Sequence, residues 1–165
     1  MSDALTLRDF RAADAPQVNR LALAAFAQFK THYADWPAMA ASVARMAALA
    51  ENGEIILAER DDKIIGAVGY VPPGRPKPSC FDVGWPIIRM LVVDPEHRGL
   101  GAGRALTEEC LKRARRDGSP VIALHTSPFM MVALSIYARM GFELVRDGPR
   151  IFGVPSAVYV KRLSP

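Results

Sequence analysis

The chain has 165 residues, 50% of them hydrophobic and 23% charged, which suits one globular core and excludes a disordered or fibrous polymer. A formal net charge of +4 is mild: it fits a polyanionic small ligand as well as it fits nucleic acid, or a plain solubility surplus. Cys80 and Cys110 make no disulfide framework, and His32, His97 and His125 are too scattered for a metal-ligand pattern, so no metal is expected.

The opening MSDALTL has no basic segment leading into an apolar run, and no stretch reaches membrane-span length. A cytoplasmic protein without membrane association is therefore expected. Residues 5–8 alternate as a strand. Asp14, with Gln17 three positions on, predicts a capped helix carrying Val18, Leu21, Ala22, Ala25 and Phe29 on one face. Trp36, Met39, Ala40, Val43, Met46, Ala47 and Ala50 predict a second amphipathic helix that stops near Asn52 and Gly53.

EIILAERDDKIIGAVGYV reads as a hairpin turning at Arg60, Asp61 and Asp62. The Pro- and Gly-rich 72–86 segment is a long loop, and IIRMLVV is a strand interrupted only by Arg89. A helix follows over 102–116, with Cys110 on its apolar face, then the strand SPVIALHT. SPFMMVALSIYARMGF predicts a helix capped by Ser127, with Pro128 in the first turn and Gly141 past the end. Strands at 142–146 and 157–161 close the chain. Residues 1–165 thus form one domain of α/β (α+β) class with a mixed sheet, and 88–124 should be a right-handed parallel crossover.

The stretch DPEHRGLGAGRAL, 94–106, carries the chemistry. Glycines just before a helix let the backbone approach a ligand, and the unpaired N–H groups of that helix end attract an anion, most naturally phosphate. No Lys-Ser or Lys-Thr follows, which excludes a Walker loop. The third glycine comes one position early for the dinucleotide fingerprint, so a nucleotide-binding oxidoreductase is the weaker alternative.

Arg98-Gly99-Leu100-Gly101-Ala102-Gly103 resembles the acyl-CoA motif of the GNAT superfamily of N-acyltransferases, and Val93-Asp94-Pro95 is similar to the strand exit before it. Ala133-Leu134-Ser135-Ile136-Tyr137, with Gly141-Phe142 beyond, resembles the family's second motif. The resemblance covers nearly the whole chain. It implies a mostly antiparallel sheet of about seven strands flanked by about four helices, with one splayed parallel pair. It implies an acetyl-CoA-dependent N-acetyltransferase acting directly on a primary amine of a small molecule or peptide. A non-catalytic CoA-binding or sensing domain is the alternative.

By the same resemblance, the N–H groups near Leu91, Val92 and Val93 hold the acyl carbonyl, with the pantetheine arm lying like an added strand. Those of Gly99, Leu100, Gly101, Ala102, Gly103 and Arg104 hold the pyrophosphate, with charge added by Arg98 and Arg104. Tyr137 gives a proton to the departing thiolate, a transfer only mildly uphill between groups that titrate at about 10 and about 8.5. On its own residues, Tyr137 reads as a half-buried helix aromatic; the glycine loop is what favours the catalytic role.

The sequence departs from the family in two places. Ile87 stands near the position where many relatives carry a glutamate base, which leaves His125 as the best titratable candidate, ahead of Asp82 and Glu96; a plain structural histidine is the competing reading. Met130 replaces an asparagine that contacts pantetheine in relatives, and Ser127 or backbone would have to substitute. Arg89, in an otherwise apolar strand, is either a clamp for an acceptor carboxylate or half of an internal salt bridge. Phe26, Phe29, Tyr33 and Trp36 would wall the acceptor end beneath a lid at 72–86. The basic cluster 112–116 complements a helix C-terminus rather than nucleic acid, and a homodimer is left open.

Overall fold

The computed structural model describes residues 4–164. Its frame is a seven-stranded sheet in the order β1-β2-β3-β4-β5-β7-β6. Strands β1 (Thr6–Asp9), β2 (Glu54–Arg60), β3 (Lys63–Val71) and β4 (Ile87–Val93) pair antiparallel in succession. β5 (Val121–Thr126) lies parallel to β4, and β7 (Ala157–Arg162) runs antiparallel between β5 and the edge strand β6 (Glu143–Asp147). The hairpin turn places Asp61 and Asp62 at φ 52° and 62°, the left-handed pair that matches strand twist.

Helices cover both faces. α1 (Ala15–Ala27) and α2 (Trp36–Val43) pack Val18, Leu21, Ala22 and Met39 against Ile55, Leu57 and Ala67. On the other face, α3 (Ala102–Arg116) and α4 (Met131–Arg139) set Leu106, Cys110, Ala114 and Tyr137 against Ile56, Ala58, Ile65 and Val68. Adjacent residues of β2 therefore enter opposite cores, which is why its centre reads as an unbroken apolar run instead of alternating. No helix among the described residues is long and apolar enough to cross a membrane.

Several boundaries differ from the sequence expectation, each for a visible reason. Asp14 does not cap α1: Arg8 grips both its oxygens at 2.9 Å and Arg11 N–H donates to it at 2.8 Å, closing a 3-10 turn ahead of the helix. That clamp holds the Asp14 carboxyl down at about 2. The second helix breaks after Val43 and resumes as a 3-10 segment, Met46–Glu51. There Ala47 N–H donates to Asn19 Oδ1 at 2.8 Å, so α1 takes a donor that a continuous helix would keep. α4 starts at Met131, not after Ser127: Met130 N–H closes a turn onto Ser127 C=O, and the ladder begins with Leu134 N–H to Met130 C=O.

The basic turn at the end of α3 is occupied within the chain. Arg113 pairs with Asp9 and Glu54 at 2.7 Å and with Glu109 at 3.1 Å, while Arg116 holds Glu54 at 2.8 Å and Asp117 at 3.0 Å. These contacts tie α3 to β1 and β2. Tyr70, fully buried on β3, adds a hydrogen bond to Asp117 at 2.7 Å.

Candidate active site

The site begins where the sheet opens. β4 and β5 share one register pair, Ile87 with Ala123, supported by Ala123 N–H donating to Pro86 C=O at 3.0 Å. Beyond it the strands separate. On its other edge β4 stays paired to β3, but the register slips between Ala67 and Gly69, and Met90 bulges at φ 54°. A side chain at Gly69 would collide there, with its Cβ 2.9 Å from Leu49 Cδ1 and 3.0 Å from the Arg89 carbonyl oxygen. Asp94 N–H donates to Ile65 C=O on β3. Strand alternation then turns the N–H groups of Leu91 and Val93 to the opposite edge, into the gap.

A cavity of about 590 Å³ runs from this gap to the start of α3. Leu91, Val92 and Val93 line one wall, and Met130, Ala133, Ile136 and Met140 line the other. Its far end is the glycine turn. Gly99 and Gly101 adopt φ 78° and 85°, and the direction a Cβ would take at each is open space. The first helical bond of α3 runs from Ala105 N–H to Gly101 C=O at 3.0 Å, which leaves the N–H groups of Ala102, Gly103 and Arg104 without an intrahelical acceptor. At Gly103 a Cβ would stand 3.0 Å from Ile136 Cδ1, so glycine there lets α3 and α4 approach. This end suits an anion with several oxygens.

A second cavity of about 280 Å³ lies on the other side of the splay. Phe26, Leu91, Met130 and Ala133 line both cavities and so form their junction. Its polar groups are Tyr33, Ser42, Arg89, His125, Thr126, Ser127 and Tyr137; no carboxylate among the described residues lines it. Burial raises the Tyr137 phenol well above its ordinary value, with the nearby Cys110 adding to the shift. Its hydroxyl has no hydrogen-bond partner among the described residues. His125 is pushed down to about 4, by burial first and by the charge of Arg89 second. It stacks on Phe81 with ring centroids 5.4 Å apart, and its buried Nδ1 is unpaired. Arg89 is itself lowered by burial, and no ion-pair partner for it exists among the described residues.

Residues 16–142 match the model of the acetyltransferase (GNAT) family. The chain belongs to that family. It is 33% identical over 98 residues to N-acetyltransferase 8B of Homo sapiens, a match covering 59% of this chain and 41% of that protein. The matched curated relatives are longer, and the chain spans less than half of their length. Among solved structures, a GCN5-related N-acetyltransferase from Rhodopseudomonas palustris superposes with TM-score 0.77 at 20% identity over 99% of both chains. A GNAT family acetyltransferase from Elizabethkingia anophelis with acetyl-CoA bound gives TM-score 0.70 at 17% identity, over 98% of this chain and 100% of that one. At those identities the likeness is one of fold.

Within this GNAT fold the expected cofactor residues gather on one side. Leu91, Val92, Val93, Arg98, Gly99, Gly101, Ala102, Gly103 and Arg104 all line the larger cavity, while Leu100 is exposed beside it. Arg104 is paired to Glu108 at 2.9 Å. Tyr137, His125, Arg89 and Tyr33 meet in the smaller cavity; Phe29 instead lines the larger one, because α1 ends at Ala27 and the chain turns there. Trp36 lies behind Tyr33, ring centroids 6.1 Å apart. Asp82 and Glu96 are exposed and line neither cavity.

Some lining residues carried no sequence signal. Phe129 stacks on His32 at 4.3 Å and closes the ring cluster with Phe29 and Tyr33. Pro149, Ile151 and Phe152, from the loop between β6 and β7, roof the smaller cavity. The Pro-rich loop contributes Pro78 to the lining and Phe81 behind His125. Lys77 Nζ braces that loop by donating to Pro72 C=O at 2.7 Å and Arg75 C=O at 3.0 Å. Apolar Ile151, Phe152 and Val154 amid prolines and glycines are the one trace the sequence offered of the β6–β7 roof.

Proposed function

We propose that the protein transfers an acetyl group from acetyl-CoA to a primary amine of a small molecule or peptide, directly and without a covalent enzyme intermediate. One observation carries the reading: two cavities meet at a strand splay, with an anion-ready helix end on one side and Tyr137 on the other. The residues fit acetyl-CoA. Three N–H groups of α3 have no intrahelical acceptor, the glycine turn leaves room at Gly99 and Gly101, and the open edge of β4 accommodates an extended arm.

Acetyl-CoA, when bound, supplies the activated carbonyl and the thiolate leaving group. The N–H groups of Leu91 and Val93 point into the gap, ready to stabilise negative charge on the acyl oxygen. The Tyr137 hydroxyl keeps its proton at every physiological pH and donates a strong hydrogen bond to the leaving sulfur, since burial makes full transfer steeper than it would be from an ordinary phenol. His125, neutral at pH 7 and held down to about 4, is too weak a base to keep the amine proton; its unpaired Nδ1 accepts a hydrogen bond from the amine and passes the proton on to water.

Thiol release from acetyl-CoA across a broad amine panel tests this. Tyr137→Phe should lower turnover by about 10²–10⁴-fold while leaving the melting temperature nearly unchanged. Failure of every amine to release thiol above hydrolysis, with Tyr137→Phe indistinguishable from wild type, would refute the enzyme reading. If CoA then raised the melting temperature, a binding or sensing domain would remain.

A further inference from the structure

Two other part-buried arginines have carboxylates beside them: Arg8 has Asp14 and Glu59, and Arg113 has Asp9, Glu54 and Glu109. Arg89 has none among the described residues, although it sits in the wall of a chamber instead of at the surface. A guanidinium withdrawn from water without a counter-charge is costly, and natural folds keep one where a ligand completes the pair. No carboxylate among the described residues lines the chamber. With His125 neutral, its permanent charge is the single positive one of Arg89. An ammonium with no anion of its own would be repelled from it; an amine that carries a carboxylate would enter with the charges matched.

Size and surface narrow the class. About 280 Å³ falls just below the range of about 300–1,000 Å³ for drug-sized ligands, so the occupant is compact. Apart from the polar groups already named, the Tyr33 hydroxyl among them, the lining is largely apolar and includes Met39, Val43, Ile151 and Phe152. Arg89 presents a planar fork that matches a carboxylate in two parallel hydrogen bonds.

Building on the acetyl-transfer reading, we infer that the smaller cavity takes a free amino acid with an apolar side chain: Arg89 grips its carboxylate, the side chain packs under the Ile151–Phe152 roof, and its amine faces Tyr137 at the junction. A peptide N-terminus, which has an amide where the carboxylate would be, is thereby disfavoured. The amine nitrogen forms the new bond to the acetyl carbon, the carbon–sulfur bond of the thioester breaks, and the amine proton leaves as the sulfur gains one.

The test pairs leucine, methionine and phenylalanine with their amides, and leucine with leucyl-glycine. Thiol release gives kcat/KM, and calorimetry on CoA-saturated protein gives Kd. Wild type should prefer each acid over its amide by roughly tenfold to a hundredfold. Arg89→Gln should lose that factor for the acids alone, and Arg89→Lys should recover part of it, with melting curves confirming that both variants fold. Amides equal to or better than acids, acids that do not bind, or an unchanged preference in Arg89→Gln would each overturn the inference. Arg89-dependent binding of acids without thiol release would leave the carboxylate site standing and sink acetyl transfer. Transfer to amines regardless of a carboxylate would do the reverse.

Discussion

His125 makes a sharp thermodynamic prediction. Its ring is free to take a proton near pH 6.5 in the unfolded chain, but in the fold burial and Arg89 hold it down to about 4. Between those two values the unfolded state binds more protons than the native state, so stability must fall as the pH falls through that window. A displacement from 6.5 to about 4, at 1.36 kcal/mol per pH unit, is worth at most about 3 kcal/mol. Urea unfolding of wild type and His125→Gln, from pH 8 to about pH 4, isolates the term, because titrating carboxylates such as Asp14 contribute to both curves. The difference between the two proteins should be flat above about pH 7 and should shift against wild type on acidification, levelling off near pH 4. Replacing Arg89 by Met should shrink it, since one of the two causes is removed. Parallel curves for wild type and His125→Gln across the window would show that the imidazole is solvated in the fold, and a neutral His125 beside Arg89 would be wrong.

Three other outcomes follow from local geometry. Gly101→Ala should cost about 1 kcal/mol of stability from a left-handed alanine, read by denaturant midpoint. It should also weaken CoA binding by calorimetry, because relief of the strain would withdraw the N–H groups of the turn. Arg89→Met should leave stability unchanged or raise it by about 1 kcal/mol in the same assay, since a part-buried charge without a carboxylate is exchanged for an apolar chain. Asn19→Ala should cost about 1–3 kcal/mol by stranding Ala47 N–H, and hydrogen exchange at Ala47 should speed up.

Regular elements were legible wherever one local force dominated. The Ile55–Ala58 run and the apolar spacing of α3 fixed strand and helix because burial on two faces or one stripe leaves a periodic trace. The glycine turn was legible because positive φ at Gly99 and Gly101 needs those residues. Helix ends were not legible where the deciding partner lay far along the chain: Asn19 breaks the second helix from 28 residues away, and Arg8 removes Asp14 from capping duty. The bulge left no mark because it falls on Met90, not on a glycine. Arg89 was visible as an anomaly, but only the folded chamber shows that no internal salt bridge answers it among the described residues. The Ile151–Phe152 roof is a product of chain return, with Ala34 N–H donating to Phe152 C=O at 3.3 Å, and no periodicity encodes that.

The bulge also explains how a single strand serves two chambers. β4 remains paired to β3 on both sides of Met90, through Val92 with Ala67 and Arg89 with Gly69, so the cost of a left-handed methionine, about 1–3 kcal/mol, is borne by a secured ladder. The result is that Arg89 faces the smaller cavity, Val93 the larger one, and Leu91 their junction. In the proposed reading, positive potential then sits at both far ends, from the α3 N-terminus and from Arg89, while the middle holds only groups kept neutral by burial, Tyr137 and His125. A substrate anchored by an anion at each end would place its uncharged reacting atoms in the least polar part of the site. There a free amine is favoured over its ammonium, the more so with Arg89 close by, and each hydrogen bond to the reacting groups is strengthened. In the proposed reading, the field of Arg89 then eases loss of the amine proton, and His125, too weak a base to hold it, relays it toward water.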